Sequence, residues 1–191
     1  MRLVVLNGSP RATGAVATLL RAIAEGAGRR HEIEWVDVYD LQFRQCRGCM
    51  NCRPDGQCCM PEDDAHRVGR AIGDCDGLAV GTPTHWGNMA APLKGLFDRL
   101  VPVFMGESPA GLPAARHKGK PALVVAACAT PWPFNYLFAQ SRGAVRAVRE
   151  VLHYGGFRVR GVLVKSGTKA HPAMPESLLA RARSLGKKVW G

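Results

Sequence analysis

Residues 2–14 read RLVVLNGSPRATG. The apolar run from Arg2 to Asn7 has the length and composition of a buried parallel strand. Gly8, Ser9 and Pro10 then set a tight turn. Thr13 can cap a helix running to about Ala27, with Val16, Leu19, Leu20 and Ile23 on one face. Strand, turn and amphipathic helix make one βα unit, and the fold depends on how often the unit recurs.

It recurs along the whole chain. Glu32 to Val38 alternates as a second strand, and a Cys-rich loop at 44–61 follows. Glu62 to Gly73 has a helical pattern, and Gly77 to Gly81 is a third buried strand ending at Thr82-Pro83. Pro92 to Val103 is helical, and Leu123 to Ala127 is a fourth strand. Asn135 to Tyr154 suits a helix, Phe157 to Val164 a fifth strand, and Pro175 to Val189 a last helix. Five βα units predict an α/β fold of three layers, with one parallel sheet between helices. Five strands favour the flavodoxin-like order 2-1-3-4-5 over the longer dinucleotide fold. Ligands of such sheets lie beyond the carboxyl ends of the strands, at the switch point.

The 191 residues suit a single domain, 1–191, with 47% hydrophobic and 21% charged residues. No apolar run approaches the roughly 18 residues of a membrane span. The first apolar run is too short for a signal peptide, so a cytoplasmic protein with reduced thiols and no membrane association is expected. Seven cysteines, an odd number, also argue against a closed disulfide framework. The net charge of +11 is uneven. Residues 1–100 hold 12 Lys or Arg and 12 Asp or Glu, whereas residues 101–191 hold 14 against Glu107, Glu150 and Glu176. A basic half can attract nucleic acid, an anionic cofactor tail or an acidic protein, or it can be a solvated face. No motif interleaves basic and aromatic residues as a nucleic-acid site would, so no nucleic-acid partner is expected.

The first loop is a candidate anion site. A helix N-terminus offers unpaired N–H groups and a positive dipole end, and Ser9, Arg11 and Thr13 can add contacts. The loop is neither G-x-x-x-x-G-K-[ST] nor G-x-G-x-x-G. After the third strand comes Pro83-Thr84-His85-Trp86-Gly87-Asn88. A flat ring needs an aromatic wall and backbone donors along its polar edge. Trp86 can supply the first. Gly87 lets the backbone come close, and Asn88 can bond the edge. After the fourth strand, Thr130 points at the same crevice. Trp132, Phe134, Tyr136 and Phe138 behind it could cover a ring, form a subunit interface or fill core.

NGSPR with Gly14 at the helix start, and GTPTHWGNMAAPLKGLFDRL from Gly81 to Leu100, resemble the NADPH-dependent FMN reductases and related flavodoxin-like proteins. The resemblance spans most of residues 1–100 and includes a C-x-G-C-x-x-C segment ahead of an acidic pair. It implies FMN phosphate on Ser9, Arg11, Thr13, Gly14, Ala15 and Val16. The flavin ring would lie against Pro83, Thr84, His85, Trp86, Gly87, Asn88 and Thr130. It also implies NAD(P)H as co-substrate. Relatives carry Asn-Thr or Asn-Ser after the helix-opening glycine, and this chain has Ala15-Val16, which leaves more of the phosphate to backbone N–H groups.

The cysteines are spaced Cys46-x2-Cys49-x2-Cys52-x5-Cys58, with Cys59 as an alternate fourth ligand. Compact thiolate spacing suits a 4Fe–4S cluster, and it is similar to that of the iron–sulfur flavoproteins. A cluster-free pocket loop and a zinc site are the alternatives. Arg44, Arg47 and Arg53 could offset ligand charge, or be solvated. Cys75 and Cys128 are expected to be buried small hydrophobes. The expected activity is an FMN-dependent oxidoreductase passing electrons from NAD(P)H to a quinone, a flavin or a protein. The chemistry rests on FMN, without a catalytic side chain. The alternative is a non-enzymatic FMN and iron–sulfur carrier docking an acidic redox partner. A homo-oligomer, dimer or tetramer, is expected.

Overall fold

The computed structural model describes residues 1–52, 56–108 and 110–191. Its main sheet has five parallel strands: β1 (Arg2–Asn7), β2 (Glu32–Asp37), β3 (Gly77–Pro83), β6 (Pro121–Ala127) and β7 (Arg158–Lys165). Their order is β2-β1-β3-β6-β7, which is 2-1-3-4-5 when only these strands are counted. A short antiparallel pair, β4 (Met105–Glu107) and β5 (Pro113–Ala115), stands apart. Strands of three residues carry too little periodicity to be read from sequence.

Successive side chains of a strand face opposite ways. Leu3, Val5, Ala79, Leu123 and Val125 pack under α1 (Ala15–Ala27) and α7 (Glu176–Trp190). Val4, Leu6, Leu78, Val80 and Val124 pack on the other face. That face is covered by α2 (Asp64–Asp74), α3 (Ala91–Arg99), α4 (Val101–Phe104) and α6 (Gln140–Gly155). The three-layer α/β fold expected from five βα units is the one observed.

Local corrections have physical causes. Thr13 does not cap α1: the cap residue is Gly14, which receives no side-chain cap bond. The second helix starts at Asp64, because Asp63 accepts from the Ala65 N–H and His66 accepts from the Asp63 N–H, closing a reciprocal cap. The expected helix from Pro92 to Val103 breaks at Leu100, where ψ is 9°. Pro102 lacks an N–H and sits in the first turn of α4 instead. The expected helix from Asn135 breaks into α5 (Phe134–Leu137) and α6 at Ala139, which is left-handed at φ 55°. Trp132, Phe134, Tyr136 and Phe138 are exposed, so they do not fill core.

Candidate functional site

The loops after β1, β3, β6 and β7 meet at the carboxyl edge of the sheet. Parallel registers set Asn7 beside Gly81 and Pro83 beside Ala127. The first loop is held by buried Asn7. Its Nδ2 donates to Asp37 Oδ1 at 2.7 Å, and its Oδ1 accepts from the Ser9 N–H at 3.3 Å. The Gly8 N–H donates to the Gly81 carbonyl at 2.8 Å. A Cβ on Gly8 would lie 2.8 Å from the same oxygen, so only glycine permits this approach. Ser9 is buried, and its Oγ accepts from the Arg11 N–H at 3.2 Å, leaving its O–H free to donate. Intrahelical bonding of α1 begins with Thr18 N–H to Gly14 O at 2.9 Å. The N–H groups of Ala15, Val16 and Ala17 therefore have no partner within the helix.

After β3 the chain makes a two-residue hairpin. His85 and Asn88 exchange both backbone bonds, at 3.0 and 2.8 Å. Trp86 and Gly87, at φ 51° and 69°, fill the mirror-image turn that suits such a connection. A left-handed Trp is uncommon, and strain of this kind concentrates at ligand sites. Trp86 is 100% exposed and stands clear of the protein, not against a pocket wall. Asn88 Oδ1 is occupied by the Met89 N–H at 2.8 Å, so only its amide N–H2 remains for an outside acceptor. Thr84 is held to β6 through its N–H to Ala127 O at 2.8 Å, yet its buried Oγ1 has no partner among the described residues. The backbone of α6 backs this turn: a Cβ on Gly143 would collide with the Gly87 carbonyl.

Thr130 accepts the Gly167 N–H at 3.0 Å through its carbonyl, tying the β6 loop to the β7 loop. Buried Lys165 secures the second of these, its Nζ donating to Ser166 O and His171 O at 3.1 and 2.7 Å. Sequence reasoning did not find Lys165, whose only mark is a cation at the end of an apolar strand. The exposed segment beyond holds a stacked Phe134–Phe138 pair and an Arg142–Tyr136 cation–π contact.

These features fit a phosphate with an attached flat ring. The cradle at Gly8 would be filled by a Cβ, α1 presents unpaired N–H groups, Ser9 has a free O–H, and Thr84 has an unused hydroxyl. A separate cavity of about 490 Å³ lies on the α3 and α6 side of the hairpin, lined by Gly87, Asn88, Lys94 and Arg146 among others and by no residue of the first loop.

The Cys-rich loop is anchored by Arg99, a residue sequence reasoning passed over although it ends the quoted FDR pattern. Arg99 is 3% exposed. Its guanidinium donates to Asp63 at 2.7 and 3.1 Å and to the Arg44 carbonyl at 2.6 Å. Burial opposes ionisation of Asp63, but Arg99, the Arg44 N–H and His66 together hold its carboxyl below the usual carboxylate range. One ion pair thus joins the loop, the cap of α2 and the end of α3. Gly48 and Gly56 bend the loop in the left-handed region, at φ of 66° and 67°.

The thiols are free. Cys46 Sγ accepts from the Gly48 N–H at 3.4 Å, and the Cys49 and Cys59 sulfurs are 3.7 Å apart. The Asn51 backbone N–H, then Cys59, lower the Cys49 pKa, and the bond to Cys49 raises that of Cys59. Burial raises Cys52, with Cys58, Cys46 and Cys49 near enough to add repulsion. The donors have the chemistry for a cluster. Yet among the described residues no three His, Cys, Asp or Glu side chains converge on one metal position. Arg53 lies outside the described residues. Cys75 and Cys128 are buried, and burial pushes Cys75 up to about 11.

Three likenesses bear on identity. An iron–sulfur flavoprotein of Methanocaldococcus jannaschii is 28% identical over 197 residues, covering 99% of this chain and 95% of that protein. An iron–sulfur flavoprotein of Archaeoglobus fulgidus is 34% identical over 107 residues, covering 56% of this chain and 52% of that protein. The solved NAD(P)H:quinone oxidoreductase from Methanothermobacter marburgensis superposes with a TM-score of 0.75 at 22% identity, covering 98% of each chain, which shows the shared fold. Residues 1–166 match the family described as NADPH-dependent FMN reductase. With that match running from β1 through β7, the chain belongs to the NADPH-dependent FMN reductase family.

Proposed function

We propose that this chain, as a single domain over 1–191, binds FMN at the carboxyl edge of its sheet and oxidises NAD(P)H. The observation that carries the reading is the glycine-tight turn at Gly8-Ser9 opening onto the uncapped N-terminus of α1. When bound, FMN would accept a hydride from the nicotinamide and hand electrons on to a quinone, a flavin or a protein acceptor. The residues do the rest. The N–H groups of Ala15 and Val16, with the Ser9 hydroxyl, would donate to a phosphate that the missing side-chain cap leaves room for, while Gly14, its own N–H bonded to the Arg11 carbonyl at 3.0 Å, would shape the turn beneath it. Arg11 and Thr13 are exposed beside it. The 83–88 hairpin would turn the Trp86 and Gly87 N–H groups and the Thr84 hydroxyl toward the ring edge, since the other N–H groups of the hairpin are already bonded, and fixed donors there favour developing negative charge. His85 and Trp86 would border the outer face, and Thr130 the opposite loop.

The expected outcome for Ser9→Ala combined with Arg11→Ala is FMN held roughly ten- to a hundredfold more weakly, about one to two charge-assisted bonds. Fluorescence titration of apoprotein measures it, and an unchanged dissociation constant puts the phosphate elsewhere.

A second reading concerns the thiols. The names of the relatives and the compact spacing favour a 4Fe–4S cluster on Cys46, Cys49, Cys52 and Cys58, with Cys59 as alternate. Iron and acid-labile sulfide after anaerobic reconstitution should reach about four per chain and vanish in Cys49→Ala with FMN retained. Full FMN with no iron leaves a cluster-free loop. The carrier alternative is decided by steady-state NADPH and NADH oxidation with a quinone. We place the protein in the cytoplasm, consistent with its many free thiols, and as a homo-oligomer, consistent with the exposed aromatics at 132–138. Among the described residues no helix is long and apolar enough to cross a membrane.

A further inference from the structure

We propose that Cys49 and Cys59 form a reversible intramolecular disulfide by exchange with small disulfides, which withdraws Cys49 from the thiol set of the loop. The two sulfurs are already in contact at 3.7 Å, and both residues are exposed. Gly48 and Met50, at φ 66° and 62°, bend the chain sharply on either side of Cys49. Cys59 reaches it because its neighbour is held the other way. Cys58 lines the cavity that contains Arg99, and the Cys58 carbonyl is hydrogen-bonded by His66 Nε2 at 3.4 Å. Cys75 and Cys128 are buried and out of reach of an outside reagent.

The exchange balances with a small disulfide as oxidant. One of the two thiols attacks it as thiolate, forming a mixed disulfide and releasing one small thiol. The second cysteine sulfur displaces the other half. A Cys49–Cys59 bond forms, the small disulfide's bond is broken, and two electrons and two protons end on two released thiols. Closing the bond needs the sulfurs to approach from contact to about 2 Å. Exposed disulfides are the reducible kind, which matches a reversible device and not a structural staple. The consequence follows from ligand count: Cys46, Cys52 and Cys58 remain, one thiol short of the four a cubane takes.

The test uses the full-length chain treated with an iron chelator, exposed to oxidised glutathione, blocked with N-ethylmaleimide and mapped without reduction. Cleavage before Asp55 separates Cys49 and Cys52 from Cys58 and Cys59. The expected result is a cross-linked peptide pair whose fragments place the bond at Cys49–Cys59. Two of the seven thiols are consumed, and dithiothreitol restores all seven. Cys59→Ser should lower that cross-link at least tenfold, while Cys58→Ser keeps it. A dominant Cys52–Cys58 bond, an intermolecular bond, a lone glutathione adduct or no loss of thiols overturns the proposal. So does a cross-link that survives in Cys59→Ser. The mapping reads sulfur alone, so its failure leaves the flavin reading where it stands.

Discussion

Arg99→Leu will destabilise the fold by about 3–5 kcal/mol, the usual result of removing one partner from a buried ion pair. The side chain of Arg99 is 1% exposed and that of Asp63 15%, so little water is at hand to replace the lost contact. Three attachments go at once: the bidentate bond to Asp63, the support of the α2 cap and the bond to the Arg44 carbonyl. The deficit will depend on pH. Asp63 has its pKa lowered in the folded protein, so its contribution is present above the ordinary carboxylate range and fades as pH falls through the folded value. Urea titrations of parent and variant should therefore converge in strongly acid buffer. A variant within about 0.5 kcal/mol of the parent at neutral pH would mean that the pair behaves as a surface contact. Arg99→Lys should recover only part of the loss, since an ammonium cannot span both carboxylate oxygens and the Arg44 carbonyl in one plane.

Arg99 also marks the boundary of what was legible in the sequence. The sheet order was legible because buried parallel strands are continuous apolar runs and each connecting helix keeps its own period. Asn7-Gly8-Ser9 was legible as a turn because its residue types have local backbone reasons to be there. The partnership of Arg99 with Asp63 was not. The two are 36 positions apart and neither is unusual alone. A buried ion pair announces itself only when tertiary packing brings it together. The helix break at Ala139 was hidden for a related reason. Alanine is a strong helix former with no local preference for a left-handed conformation, and what surrounds Ala139 is tertiary: its carbonyl lies 3.4 Å from where a Cβ on Gly87 would stand. The turn at Trp86-Gly87 was half legible: Gly87 suits a positive φ, whereas Trp86 beside it does not, so the exposure of Trp86 could not be read from residue type.

If the 83–88 hairpin edges the ring as proposed, Gly143→Ala is expected to weaken FMN binding at least tenfold, about 1.4 kcal/mol. A Cβ at Gly143 would meet the Gly87 carbonyl far inside contact distance, with the Gly87 carbonyl carbon at 3.1 Å. The obstruction is backbone, so no side chain can swing aside to relieve it. Either α6 moves out or the 85–88 hairpin moves, and the hairpin is the less anchored of the two. It is held to the sheet through Thr84 and closed on itself by the two bonds between His85 and Asn88. α6, by contrast, buries Ala144, Val148 and Leu152 in the core. The substitution should cost about 1–3 kcal/mol in packing, against roughly 1 kcal/mol returned by better helix propensity. Gly73→Ala supplies the contrast. Gly73 is also helical, but a Cβ there meets nothing within 4 Å, so that variant should gain stability by up to about 1 kcal/mol and bind FMN as the parent does. Thermal melts and flavin titrations on the two variants separate the effects. If Gly143→Ala behaves like Gly73→Ala in both measurements, the hairpin is not braced by α6 and its donors cannot be the fixed edge of the ring site.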